Sequence, residues 1–220
     1  MEPMPKTCRR WAGAFGDAYT ERNRDETVED VDAEYAERFG VTQTELLARY
    51  FADVDRDARI LEVGSNVGVQ LDILQSLGFH KLYGLDLHRN ALTIMKDTRP
   101  SIQPIRGSAH RLPFRAESFD VIFTIGVLIH MPHEILAEVI DEIVRCSRRW
   151  IIGSEYYAPT RTELLYRGQR GILWKDDYAS LYTTGHEFNS VNQEILKYNG
   201  QSQFSVGDRL RSIFCLKKSE

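Results

Sequence analysis

The chain has 220 residues, 42% of them hydrophobic, which suits one domain with a sizeable core. Its formal net charge of −4 excludes a global basic field for nucleic acid, and no run approaches the ~18 apolar residues of a membrane span. The opening "MEPMPKTCRR" has no apolar h-region, so no secretory signal is expected. Cys8, Cys146 and Cys215 lie far apart with no CxxC, which reads as reduced thiols in a cytoplasmic protein.

Residues 1–57 read as a polar helical cap. "VEDVDAEYAERFG" stops at Gly40, a C-terminal cap, and Thr42 and Glu45 are spaced as a capping box for "TQTELLARYF". A strand–helix alternation follows. "ARILEVG" (58–64) is a short apolar strand, and "VGVQLDILQSL" puts Val67, Leu71 and Leu74 on one helical face before Gly78. "KLYGLDL" (81–87) is a second strand, and "NALTIMKDT" is a helix that ends before Pro100. "IQPIRG" is a weak third strand whose Pro104 suits an edge. "FDVIFTIGVLI" (119–129) is apolar throughout, as a central parallel strand buried on both faces would be.

"PHEILAEVIDEIVRCS" is the clearest helix, with Ile135, Leu136, Val139, Ile140, Ile143 and Val144 in one stripe. "RWIIGSEY" is a fifth strand and "SIFCLKK" a last one; the stretch 156–203 between them has no clean period. The alternation predicts an α/β fold with a doubly wound, mostly parallel sheet and ligands at the carboxyl ends of its strands. The expected organisation is a single domain: cap 1–57, cofactor-binding core 58–155, and an acceptor-side insertion with the last strands over 156–220.

"ILEVGSNVGVQL" (60–71) carries the functional signal: a strand, a glycine turn and a helix. Two cofactor templates compete for it. The dinucleotide fingerprint GxGxxG registers on Gly64, Asn66 and Val69, one match in three, and Val69 would obstruct the tight helix–strand packing that the third glycine allows. The acidic-x-G-x-G-x-G signature of S-adenosylmethionine (SAM) enzymes registers on Glu62, Gly64, Asn66 and Gly68, three matches in four. Asn is the non-glycine residue that best tolerates a left-handed backbone, and SAM has no pyrophosphate to admit. Glu62 suits a cationic ligand. Asp86, followed by Leu87, ends the second strand about 20 residues past the turn, where an acid meets ribose hydroxyls in either kind of cofactor.

With "YGLDL", "GSAHRLPFRAESFDVIF" and "VLIHM" following that turn in order, the chain resembles the class I SAM-dependent methyltransferases over roughly residues 58–152. The resemblance implies a Rossmann-like, seven-stranded sheet. It also places Ser108 and Ala109 against the adenine, Ser108 standing where the family usually has Asp, and Ile125 in the same site. A narrower resemblance, carried by "WAGAFGDAYTERN" and "YYAPTRTELLYRGQRGILWKDDYA", is to the methylases associated with pseudaminic acid biosynthesis, in which the asparagine turn is usual. It implies a small anionic acceptor such as a nonulosonic or amino sugar intermediate. The motifs that carry this resemblance do not extend to residues 186–206, which are a candidate wall of the acceptor pocket.

In the class, the N-terminal segment folds over the cofactor. Tyr19 would then face the sulfonium and Arg22 would take the methionine carboxylate. His130, after the fourth strand, and Glu155, at the end of the fifth, are the candidate bases for a hydroxyl acceptor. His130 and His133 have no carboxylate or cysteine cluster beside them, so no metal is expected. Tyr156 and Tyr157 follow Glu155. Arg161, Arg167, Arg170 and Lys175 outnumber Glu163 over 161–175, with Tyr166 and Trp174 among them. Tyr156, Tyr157, Tyr166, Arg167 and Lys175 are therefore the candidate acceptor contacts. Another natural product, a phosphate-bearing metabolite, an RNA strand or a SAM-binding module without catalysis stand as alternatives, and a homodimer is left open.

Overall fold

The computed structural model describes residues 6–199 and 210–219, apart from the side chains of residues 6 and 7. Four helices come first: α1 (Lys6–Trp11), α2 (Ala14–Arg22), α3 (Val28–Phe39) and α4 (Gln43–Tyr50). Gly40 caps α3 at φ 71, and Thr42 with Glu45 forms the expected capping box on α4. A second box, Thr27 with Asp30, starts α3. Asp30 stands there where Glu or Gln is the usual partner.

The central sheet has the order β3-β2-β1-β4-β5-β9-β8. Its first five strands are β1 (Arg59–Val63), β2 (Lys81–Asp86), β3 (Gln103–Arg106), β4 (Phe119–Ile125) and β5 (Ser147–Tyr157), all mutually parallel. β9 (Leu210–Lys217) runs antiparallel to β5, and β8 (Ser190–Lys197) antiparallel to β9. The crossovers are α5 (Val69–Ser76), α6 (Arg89–Thr98) and α7 (His133–Cys146). This is the expected doubly wound sheet of seven strands. Pro104 does sit in an edge strand, where a missing N–H leaves no ladder bond unmade.

Alternation along β1 feeds two cores. Leu61 and Val63 pack with Leu85, Ile122 and the α7 stripe of Leu136, Val139, Ile140 and Ile143. Ile60 packs on the opposite side with Leu71, Leu74, Met95, Phe51 and Phe123, beneath α4, α5 and α6. Each fully buried aliphatic or aromatic side chain contributes roughly 1.5–3 kcal/mol, so the two cores fix the strand register.

Three expectations are corrected. β4 ends at Ile125 rather than 129: Gly126 takes φ 66 and residues 128–130 form a 3-10 turn, which swings His130 over the sheet's carboxyl edge. The irregular stretch contains a small hairpin, β6 (Thr162–Glu163) with β7 (Trp174–Lys175), then α8 (Tyr178–Gly185) and the edge strand β8. Of the segment 186–206, residues 190–197 therefore serve the sheet edge and are not part of the cavity described below; residues 200–206 lie outside the described residues.

Candidate functional site

The topology reverses between β1 and β4: β2 and β3 lie to one side of β1, and β4 and β5 to the other. Ligand crevices of doubly wound sheets form at that point, beyond the carboxyl ends of the strands. A cavity opens there. Its floor is the ends of β1, β2 and β4, at Val63, Leu85 and Ile125, with the turn at Gly64 and Asn66. Its roof is the N-terminal cap: Cys8, Trp11, Gly16, Tyr19 and Thr20 from α1 and α2.

The glycine turn adopts the conformation its composition predicts. Gly64, Asn66 and Gly68 take φ 76, 46 and 86, all left-handed. A Cβ on Gly64 would lie 2.5 Å from Val127 Cγ2, so only glycine fits between the turn and the loop after β4. The Gly64 amide donates to the Leu85 carbonyl at 2.7 Å, tying the turn to β2. Asp86 lies in the cavity wall and accepts from the backbone amides of Asn66 (2.9 Å) and His88 (2.8 Å). Burial pushes its carboxyl up, and those amides pull it back down.

The remaining expected cofactor residues divide. Leu87, Ser108, Ala109, Ile125 and Tyr19 line the cavity with Asp86. Ser108 Oγ pairs with His110 Nδ1 at 2.7 Å, which keeps a hydroxyl at the position where Asp is usual. Burial pushes the Tyr19 phenol up to about 12, so it stays neutral. Three others are placed differently. Glu62 is buried and lies outside the wall, with Oε2 lacking a partner; burial and the nearby Asp86 push it well above the usual carboxylate range. Gly68 is the N-cap of α5 and supports the turn from behind. Arg22 is exposed, donates to its own helix at the Ala18 carbonyl (2.6 Å) and lies over the Tyr19 ring.

His130 lines the cavity, beside Trp11 (ring centroids 4.6 Å apart) and Tyr166 (5.8 Å). Its Nδ1 is 2.6 Å from the Ile172 carbonyl. A carbonyl only accepts, so Nδ1 carries the proton and Nε2 is the basic nitrogen. Burial lowers the His130 pKa to about 4, which keeps the ring neutral. Glu155 behaves otherwise than expected of a base. It is fully buried, lies outside the cavity wall, and accepts from the amides of Val127 (3.2 Å) and Ile129 (3.4 Å). Its carboxylate therefore holds the turn that carries His130.

The basic stretch is also thinner in space than in sequence. Lys175 is buried, and Arg161 pairs with Asp176 at 3.1 Å while donating to the Met131 carbonyl at 2.7 Å. Arg167 and Arg170 are exposed. The Arg167 guanidinium lies 5.5 Å above the Tyr166 ring, and Arg10 lies 5.3 Å above Phe15, which itself meets Tyr166 at 6.4 Å. Tyr156 faces the buried Arg211, 5.2 Å from its ring, and Tyr157 does not line the cavity.

Residues 61–149 match a family model described as a methyltransferase domain. That span holds the glycine turn, Asp86, Ser108 and His130, the working floor of the cavity. The chain is a SAM-dependent methyltransferase. An uncharacterised protein of Haemophilus influenzae is 31% identical to this methyltransferase over 170 residues, 66% of this chain and 67% of that protein. Two solved structures share its fold. One is the Burkholderia thailandensis 1,6-didemethyltoxoflavin-N1-methyltransferase, with bound 1,6-didemethyltoxoflavin and S-adenosylhomocysteine. Its TM-score is 0.64 at 14% identity, covering 100% of this chain and 93% of that one. The other is the Haemonchus contortus phosphoethanolamine N-methyltransferase 2, in complex with phosphomonomethylethanolamine and S-adenosylhomocysteine. Its TM-score is 0.70 at 12% identity, covering 100% of this chain and 62% of that one.

The residues present fit the cofactor. Asp86 presents a carboxylate and Ser108 a hydroxyl in the cavity wall, and Gly64, packed against Val127, lets the turn border them closely. The bound cofactor supplies an activated methyl group on a sulfonium. The protein's share is to hold it, exclude water and align the acceptor. Sequence reasoning missed Trp11, Thr20, His88 and Met131. The first two lie in a segment whose signal was Gly16, where a Cβ would lie 3.2 Å from His88 Cδ2, so its absence lets the roof come close. Among the described residues no helix is long and apolar enough to cross a membrane.

Proposed function

We propose that this methyltransferase acts on an O or N atom of a small anionic metabolite, such as a nonulosonic or amino sugar intermediate. The observation that carries this reading is the stack beside the cavity-lining His130: Arg167 lies over Tyr166, whose ring is 5.8 Å from His130, and Phe15, under Arg10, meets the same Tyr166 ring. Two guanidiniums laid on aromatic rings attract a carboxylate or phosphate, and the rings offer an apolar face to the rest of the molecule. His130 Nε2, neutral through the working range, accepts the proton of a hydroxyl acceptor or orients a neutral amine. A pKa near 4 makes it a weak base, so the acceptor's proton leaves as the new bond forms. Three cysteines without a CxxC suit a reducing cytoplasm.

The test is an acceptor screen. Acidic sugars, amino sugars, phosphorylated small molecules and their uncharged counterparts are incubated with SAM, and methylated product is read by mass spectrometry. Turnover confined to anionic members, with KM raised about tenfold or more by Arg167→Ala, supports the reading, since a charge-assisted contact is worth roughly 1.5–3 kcal/mol. Turnover of uncharged acceptors with no effect of Arg167→Ala would overturn it. Cofactor binding with no turnover on any acceptor favours a non-catalytic module.

A further inference from the structure

His88 has no part in the chemistry above, yet it is buried, with both ring nitrogens engaged. Nε2 lies 2.7 Å from Asp17 Oδ1 on α2, and Nδ1 lies 3.1 Å from Thr20 Oγ1, one helical turn further along. Thr20 Oγ1 donates its one proton to Asn66 Oδ1 at 3.2 Å, in the glycine turn, and offers a lone pair to His88 Nδ1. Thr20 is 1% exposed, so its hydroxyl has little water to turn to. The backbone amides of Asn66 and His88 both end on the Asp86 carboxylate. The chain Asp17–His88–Thr20–Asn66 therefore fastens the roof helix to the two backbone segments that converge on Asp86.

The packing at this seam is close. A Cβ on Gly16 would lie 3.2 Å from His88 Cδ2 and would overlap the Trp11 carbonyl outright. Asn90 Nδ2 donates to Glu21 Oε1 at 3.1 Å, a second and exposed tie between α2 and α6. A ligand held between Asp86 below and Tyr19 above is released when α2 lifts, and lifting α2 breaks the Thr20 and Asp17 bonds together.

We propose that His88, Asp17 and Thr20 form a latch that holds α2 closed over the cofactor and sets how fast the demethylated cofactor leaves. His88 is a positioning residue in this scheme: it acts on the cofactor through Thr20 and the roof helix. Breaking the buried bonds of Thr20 while leaving its shape removes the latch with little change in packing.

Thr20→Val does this, and Thr20→Ser keeps the hydroxyl. Release of S-adenosylhomocysteine is followed by stopped-flow tryptophan fluorescence, for which Trp11 in the cavity wall is the reporter. Amide hydrogen exchange over residues 14–22 of the ligand-free protein supplies a readout independent of ligand. Thr20→Val is expected to speed release about tenfold, the scale of one or two buried hydrogen bonds, and to speed exchange across α2, while Thr20→Ser stays within about twofold of the parent. Asp17→Asn should fall between them. Release and exchange at parental rates in Thr20→Val, or equal acceleration in Thr20→Ser, would overturn the latch.

Discussion

The carboxylate of Asp86 accepts a hydrogen bond from the backbone amide of Asn66 at 2.9 Å. The contact joins the end of β2 to the middle of the glycine turn on β1, and it depends on the left-handed backbone of Asn66 (φ 46). An asparagine at the middle of three positions where glycine is usual is therefore compatible with the site. Its backbone makes the turn, and its side chain adds a contact to the roof through Thr20.

Asp86→Ala should weaken SAM and S-adenosylhomocysteine by the same factor, about 10- to 100-fold, because a lost hydrogen bond to a charged group is worth roughly 1.5–3 kcal/mol and the ribose is common to both. Parallel calorimetric titrations check this. Unequal losses would mean that Asp86 senses the sulfonium end instead.

Asn66 can be tested through its backbone. Asn66→Gly should keep the fold and the stability in urea, yet release S-adenosylhomocysteine faster, because the Thr20 contact is gone. Asn66→Val should cost about 1–2 kcal/mol from its β-branched side chain at positive φ, and should bind cofactor poorly.

Glu155 is predicted to position and not to take a proton. Glu155→Gln keeps one acceptor oxygen but turns an NH2 toward one of the two amides that need an acceptor, at a cost of about 1–3 kcal/mol in stability. The rate should fall while the pH–rate profile keeps its shape. Loss of one limb of the profile would restore Glu155 as a base.

His130 should leave a signature in stability. Its folded pKa of about 4 lies below the unfolded value near 6.5, so between those values the unfolded chain binds more protons and stability rises with pH. The gain is complete above the unfolded pKa and is lost as pH falls toward 4. Its size is at most about 3 kcal/mol, reduced by the ring's partial exposure. Urea titrations of His130→Gln should show a flatter dependence over that window.

Much of this arrangement was legible in the chain. Apolar runs marked the parallel strands, Pro104 marked the edge, and the spacing of Glu62, Gly64 and Gly68 marked the turn. What escaped was set by tertiary partners. β8 is polar and exposed at most positions, so "SVNQEILK" carries no period that distinguishes a sheet edge from a loop. The charge excess over 161–175 ignored Asp176, one residue beyond, which pairs with Arg161. Glu155 and Glu62 end or nearly end strands, and sequence gives no sign that the first serves a turn and the second lies under one. The Asp17–His88–Thr20 chain joins residues about 70 positions apart, and only the docked roof brings them together.

The most direct measurement is titration calorimetry of the purified protein with S-adenosylhomocysteine, run beside NAD. One S-adenosylhomocysteine is expected to bind per chain, with no heat from NAD. Binding of NAD, or no binding of S-adenosylhomocysteine, would contradict the assignment of SAM as cofactor.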